Sequence, residues 1–292
     1  MKGVSHARSG AGTPPVLITM FNRPDHAASV LEAVAARKPK RLFLAVDGPR
    51  EGVPGDLAGV EACRSLVSRV DWDCEVHTRF RESNLGCRRG MIDGVSWFFG
   101  VVESGVVLED DCLPEDGMLD YCGRAIEAYR EERRVIQISG FAHEKRRLNR
   151  AYFLPLASSW GWATWRDRWE EYLENHEEIA LKILADPGLC EAFDLGGTYR
   201  YSKMLQRSLA GEISSWAVFF QAFVFWQKGI VLYPPSSLIQ NIGFDGSGAH
   251  CGERKANEEC PCPARNSSIR LPRRAAISNW MLKRVKKRIR RR

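Results

Sequence analysis

The sequence predicts an α/β fold: a mostly parallel central sheet flanked by helices. Two observations carry the prediction. Short apolar runs alternate with amphipathic helical segments five times in about the first 140 residues, the pattern of βα units that lay strands side by side in parallel. Three polar clusters also fall at carboxyl ends of apolar runs: Asn22 with Arg23, Asp47 with Gly48, and Glu109 with Asp110 and Asp111. Parallel sheets receive their ligands at those ends.

Taken in order, residues 16–20 form a strand closed by FNRP at 21–24, and residues 25–37 space Ala28, Leu31 and Val34 for a helix. Residues 41–46 form a second strand, stopped by DGP at 47–49. A helix over 56–70 places Leu57, Val60, Leu66 and Val67 on its apolar side, and 74–78 form a weaker third strand. A helix over 87–102, a strand over 105–108, a helix over 115–130 and a strand over 135–138 complete the alternation. Beyond Gly140 the spacing predicts strands at 152–156 and 230–233. Helices are expected at 167–175, 178–184, 198–209 and 216–228, with an aromatic-rich stretch at 158–165. There is no internal repeat.

The 292 residues are 44% hydrophobic and 27% charged, enough for a core that needs no staples. No apolar run approaches the roughly 18 residues of a membrane span. Residues 1–14 read as a disordered segment without the apolar region of a secretory signal, so a cytoplasmic location is expected. Nine cysteines, an odd number, argue for reduced thiols over a disulfide framework. Cys251, Cys260 and Cys262 cluster with His250, but without the paired knuckles of a structural zinc site. The formal charge of +7 conceals an asymmetry: residues 270–292 hold eleven Lys or Arg and no acid, leaving the rest at −4.

Consecutive carboxylates at the end of a strand repel unless a positive charge sits beside them. A hard divalent cation, Mn²⁺ or Mg²⁺, supplies that charge and uses one or two carboxylates together with substrate phosphates. Strand alternation would send Glu109 and Asp111 to one side and Asp110 to the other. A solvated acidic loop is the bland alternative.

The segment VVLEDDCLP at 106–114 resembles the metal-binding segment of glycosyltransferases with the nucleotide-diphospho-sugar transferase (GT-A) fold. Within that fold it is most similar to N-acetylglucosaminyltransferase I-like and bacterial family-2-like enzymes. The resemblance spans about residues 15–250 and is strongest up to Pro114. It implies Asp111 as metal ligand, supported by Glu109, and Asp110 as a ribose or base contact. LITMFNRP at 17–24 is similar to the family's nucleotide-cradling first strand and loop, which implies Asn22 and Arg23 as donor contacts. Asp47 looks like the acid that reads the uracil edge, although Asp47-Gly48 alone is an ordinary turn. RESNLGCRR at 81–89 resembles the loop from which Arg88 and Arg89 would approach the diphosphate; such a pair is otherwise solvated helix surface.

In the second half, SSWGWATW at 158–165 resembles a sugar-lining Gly-Trp segment, implying Trp160 and Trp162 as pocket walls. NIGFDGSGAH at 241–250 resembles a late Gly-rich loop whose His, here His250, is a further metal or phosphate contact. Inverting transfer needs a carboxylate base. The family places it beside a Trp equivalent to Trp216, where this chain has Ser214, Ser215 and Ala217. Glu212 is the first substitute and Asp245 the second.

Residues 251–292 read as a Cys/Pro-rich linker followed by a basic amphipathic tail. Ile277, Met281, Val285 and Ile289 form an apolar stripe beside Trp280 in a Lys/Arg-rich helix. That pattern fits an anionic membrane surface, with the protein peripheral at the inner face; a nucleic-acid arm is the weaker reading and a solubilising tail the bland one. Together these features predict a metal-dependent glycosyltransferase that moves a sugar from a UDP-sugar to a cell-surface glycan or lipid-linked acceptor. The rivals are a catalytically degenerate nucleotide- or glycan-binding protein and a sugar nucleotidyltransferase. The latter needs a Gly-rich basic loop after the first strand, which FNRP does not supply.

Overall fold

Alternating apolar runs bury both of their faces only if helices cover the sheet on each side, and the chain does this. The computed structural model describes residues 12–143, 148, 150–246 and 269–290. The first half runs β1 (Val16–Met20), α1 (Pro24–Ala35), β2 (Arg41–Val46), α2 (Asp56–Ser65), β3 (Glu75–Phe80), α3 (Gly86–Val101), β4 (Ser104–Glu109), β5 (Cys112–Pro114), α4 (Met118–Tyr129) and β6 (Val135–Ser139). The second half runs β7 (Tyr152–Leu154), β8 (Trp162–Trp165), α5 (Arg166–Ala185), α6 (Pro187–Phe193), α7 (Tyr201–Leu209), α8 (Ala217–Trp226), β9 (Ile230–Tyr233), β10 (Ile239–Asn241) and α9 (Asn279–Ile289).

Eight strands form one sheet in the order β3-β2-β1-β4-β8-β6-β9-β7. Neighbours from β3 to β4 are parallel, as are β6 and β9, whereas β8 and β7 run against their partners. The fold is therefore mixed α/β with a mostly parallel sheet, as the sequence predicts. Strand alternation divides the core in two. Val16, Ile18, Leu42, Leu44, Val106 and Leu108 face a layer containing α1, α2 and α4. Leu17, Phe43, Ala45 and Val107 face a second layer with α3, α5, α7 and α8.

The chain departs from the sequence reading in a few places. The helix expected to reach residue 70 leaves α-geometry after Ser65 and tightens into a 3₁₀ turn, Leu66–Arg69. The two helices expected at 167–175 and 178–184 are one 20-residue helix. The polar break is absorbed within the helix: Asn175 Nδ2 donates to the Glu171 carbonyl and His176 Nδ1 lies 3.0 Å from the Leu173 carbonyl. The aromatic stretch supplies β8, buried along its whole length between β4 and β6. A small ribbon of β5 and β10, with Gln240 opposite Leu113, returns the chain to the acidic triplet.

The basic tail is part of the fold. Ile277 bridges to Phe153, the Ser278 amide donates to the Phe153 carbonyl, and Tyr129 Oη donates to the Pro272 carbonyl at 2.6 Å. Ser278 Oγ caps α9 by accepting from the Met281 amide, and Met281 and Val285 join the second core layer. The sequence-predicted apolar stripe therefore meets the protein's own interior instead of a lipid phase. No helix among the described residues is long and apolar enough to cross a membrane. The six cysteines among them, including Cys63, Cys112 and Cys122 in the core, are free thiols. Residues 1–11, His250 and the cluster of Cys251, Cys260 and Cys262 lie outside the described residues.

Candidate functional site

In this sheet the chain moves outward from β1 to β2 and β3, then crosses back to place β4 on the other side of β1. In parallel sheets such a reversal, beyond the carboxyl ends of β1 and β4 here, is where ligands bind. The loop after β1 delivers Asn22 and Arg23 to it, and the turn after β4 delivers Asp110 and Asp111.

Arg23 bridges both acids: its Nη2 donates to Asp110 Oδ1 and, at 3.0 Å, to Asp111 Oδ2. The side chains keep 17%, 6% and 14% of their exposure respectively, so the pairs lie out of bulk water but within reach of a ligand. Strand geometry ends at Glu109, and the turn into β5 brings Asp110 and Asp111 to one guanidinium. This corrects the expected split onto opposite sides. Alternation holds only while the backbone is extended, and here it is not.

Three carboxylates against one guanidinium leave the cluster with excess negative charge when all are ionised. Burial first, then Asp111 and Asp110, pushes Glu109 up to about 8. Burial also raises Asp110, although Arg23 pulls it down. Desolvation opposes the charge on Arg23, but the two aspartates outweigh it and hold the guanidinium firmly protonated. Arg23 Nη1 is buried and makes no hydrogen bond. A buried donor without a partner is a cost to the fold, here borne beside the acidic turn.

The segment after β10 closes over this cluster. The Ile242 amide donates to the Asp111 carbonyl at 2.9 Å, and the Gly243 amide donates to Asn241 Oδ1. At Gly243 a Cβ would overlap Asp111 Oδ2 and approach Arg23 Nη1 to 2.9 Å, so only glycine lets the backbone lie there. Asp245 follows and pairs with His26 Nε2 at 3.1 Å; that nitrogen also lies 3.2 Å from the Ile242 carbonyl. Sequence reasoning overlooked His26, although it stands three residues beyond Arg23, in the first turn of α1.

The other predicted residues divide. Asn22 Nδ2 donates to Asp56 Oδ1 at 2.6 Å, and Arg50 grips the same carboxylate with Nε and Nη2, so Asn22 braces the β2–α2 loop. Asp47 accepts from the Gly48, Leu85 and Gly86 amides and from Asn84 Nδ2, tying β2 to the amino end of α3. Arg88 pairs with Glu177 at 3.0 Å and lies 3.8 Å above the Phe219 ring, engaged with α5 and α8. Arg89 is exposed on α3. Trp160 is partly buried, edge-on to Phe141 and Phe244, and so flanks the closing segment. Trp162 is a correction: it is fully buried and stacked on Trp216 at 5.3 Å, with no surface to offer a sugar. Its segment became strand β8, which turns alternate side chains into the core. Glu212 caps the end of α7, pairing with Arg207 at 2.9 Å; no hydrogen bond or ion pair joins it to the triplet.

The donors at the triplet are hard carboxylate oxygens, suited to Mg²⁺ or Mn²⁺ and not to a thiophilic ion. Among the described residues no group of three or more His, Cys, Asp or Glu is disposed to hold a metal unaided. The protein thus offers one or two carboxylates, the number that suffices when substrate phosphates complete the shell.

Fold and side-chain geometry together define an α/β protein with an arginine-bridged acidic cluster at its sheet's switch point. No protein-family model matches the chain, and no curated protein matches it in sequence. Similar solved structures include 4-diphosphocytidyl-2C-methyl-D-erythritol synthase from Anaerococcus prevotii, at 8% identity and a TM-score of 0.37, covering 78% of this chain and 90% of that one. A UDP-glucose pyrophosphorylase shows 9% identity and a TM-score of 0.35 over 75% and 89%. HddC from Yersinia pseudotuberculosis shows 10% identity and a TM-score of 0.33 over 54% and 80%.

Proposed function

We propose that the chain is a glycosyltransferase that binds a nucleotide sugar, a UDP-sugar, at the switch point between β1 and β4 and transfers its sugar to a glycan or lipid-linked acceptor. One observation carries the reading: the Arg23–Asp110–Asp111 cluster at the switch point, in which carboxylates outnumber the guanidinium. Asp111, with phosphate oxygens of the donor, would hold Mn²⁺ or Mg²⁺, which when bound neutralises the leaving diphosphate. Arg23, its direction fixed by Asp110, sets a positive charge beside the diphosphate. Asp245, nearly half exposed and steadied by His26, takes the proton of the acceptor hydroxyl. Of the two candidate bases it is the one whose chain segment touches the cluster.

The test is incubation with a panel of UDP-sugars and Mn²⁺, following release of UDP, for wild type, Asp111→Asn and Asp245→Asn. Transfer or slow hydrolysis that falls at least about a hundredfold in Asp111→Asn supports the reading. Formation of pyrophosphate from a nucleoside triphosphate and a sugar phosphate would instead assign a sugar nucleotidyltransferase. UDP binding without turnover on any acceptor would assign a degenerate binder.

A further inference from the structure

The buried stripe of α9 leaves a question about its other face. Met281 and Val285 point into the core, and the opposite surface carries Trp280, Lys283, Lys287 and Arg290, all exposed. Lys283, Lys287 and Arg290 stand at i, i+4 and i+7 and therefore share one side of the helix. With Lys286 they line a shallow depression that, among the described residues, contains no acidic residue. Among the described residues none of the four takes part in an ion pair.

Local structure accounts for only part of this. Cations in the last turn suit the helix dipole, which explains Lys286, Lys287 and Arg288. It does not explain Lys283 earlier in the helix, nor the exposed Arg273 and Arg274 leading into it. Like charges at i and i+4 weaken a helix, and here they are kept. Trp280 is 58% exposed with the Arg284 guanidinium 4.9 Å over its ring. A large amphipathic ring held outward among cations matches the chemistry of a bilayer's headgroup layer.

We propose that the outer face of α9 docks the protein on an anionic phospholipid surface, the cations meeting lipid phosphates and Trp280 entering the headgroup region. The contact is electrostatic with one aromatic anchor. It differs from an inserted amphipathic helix because the apolar stripe is already occupied by the protein. The inference does not depend on the transferase reading.

The full chain is floated with vesicles of phosphatidylcholine alone and of phosphatidylcholine mixed with phosphatidylglycerol. Binding only to the anionic vesicles, reversed by salt, is expected. Each surface cation contributes roughly a fivefold partition, so Lys283→Gln/Lys287→Gln/Arg290→Gln should bind on the order of a hundredfold more weakly. Those three side chains are exposed, so the variant's melting temperature should match wild type, and circular dichroism checks this. Trp280→Phe should remove the blue shift that vesicles induce in the wild-type fluorescence. No binding to anionic vesicles, binding unaffected by the triple substitution, or preference for double-stranded DNA over vesicles would each overturn the proposal.

Discussion

Substituting Arg23 with methionine keeps the aliphatic stem and removes the guanidinium that bridges Asp110 and Asp111. Three acids then share a turn without their partner. Breaking a buried ion pair costs about 3–5 kcal/mol; the residual exposure of Arg23 places this case near the lower figure, about 3 kcal/mol. Unfolding entropy of about 2.1 cal/mol/K per residue over 292 residues converts that loss to a drop of roughly 5 °C in melting temperature. The sign with pH is fixed. Without Arg23 the already raised Glu109 and Asp110 rise further, and their protonation removes the repulsion. The deficit should therefore be largest above pH 8 and shrink as the pH falls. Scanning calorimetry of Arg23→Met and wild type between pH 5 and 9, with and without MnCl₂, measures it, and the cation should restore part of the loss. An unchanged melting temperature, or a deficit that grows towards acid, would refute the reasoning.

Arg50 first, and then Asn22, hold the Asp56 carboxylate down to about 2 against the burial that raises it. Its contribution to stability is complete above the unfolded carboxylate range near pH 4 and is lost as the pH falls towards 2; urea titrations should show that slope flattened in Asp56→Asn. Trp162→Ala should cost about 3–5 kcal/mol by chemical denaturation, whereas Trp162→Phe, which also removes the buried unpaired indole N–H, should cost far less. If Trp162→Ala left stability intact and changed sugar affinity, the residue would belong to a pocket after all. At Gly161, where φ is +56°, a Cβ would overlap the Ile239 side chain, so Gly161→Ala should destabilise by about 3 kcal/mol from backbone and packing strain together, read by the same denaturation.

The first half of the chain was legible because its signals are local. Val16–Met20, Arg41–Val46 and the residues that close them can be read from apolar runs and punctuation alone. The second half resists because WATW at 162–165 is apolar on both faces. Neither helical nor strand periodicity marks it, and only its place between β4 and β6 makes it a strand. The site shows the same division. Arg23, Asp110 and Asp111 were marked by position at strand ends, but Arg88 looks equally suitable in sequence and is captured by Glu177 and Phe219. His26 carried no motif and Gly243 only its place in the Gly-rich loop; both matter because β10 returns the chain over the triplet.

By itself the sequence determined the α/β class, the strand-end clusters and the basic amphipathic character of the tail, since periodicity and charge are properties of neighbours along the chain. Tertiary structure decided which charges meet. The switch point between β1 and β4 sets Arg23, 87 and 88 residues away in sequence, onto Asp110 and Asp111. Packing also turned the tail's apolar stripe inward onto Phe153 and the second core layer and left its cations outside. A stripe records only that a face will be buried, and what buries it is fixed by the surface that reaches it in the folded chain.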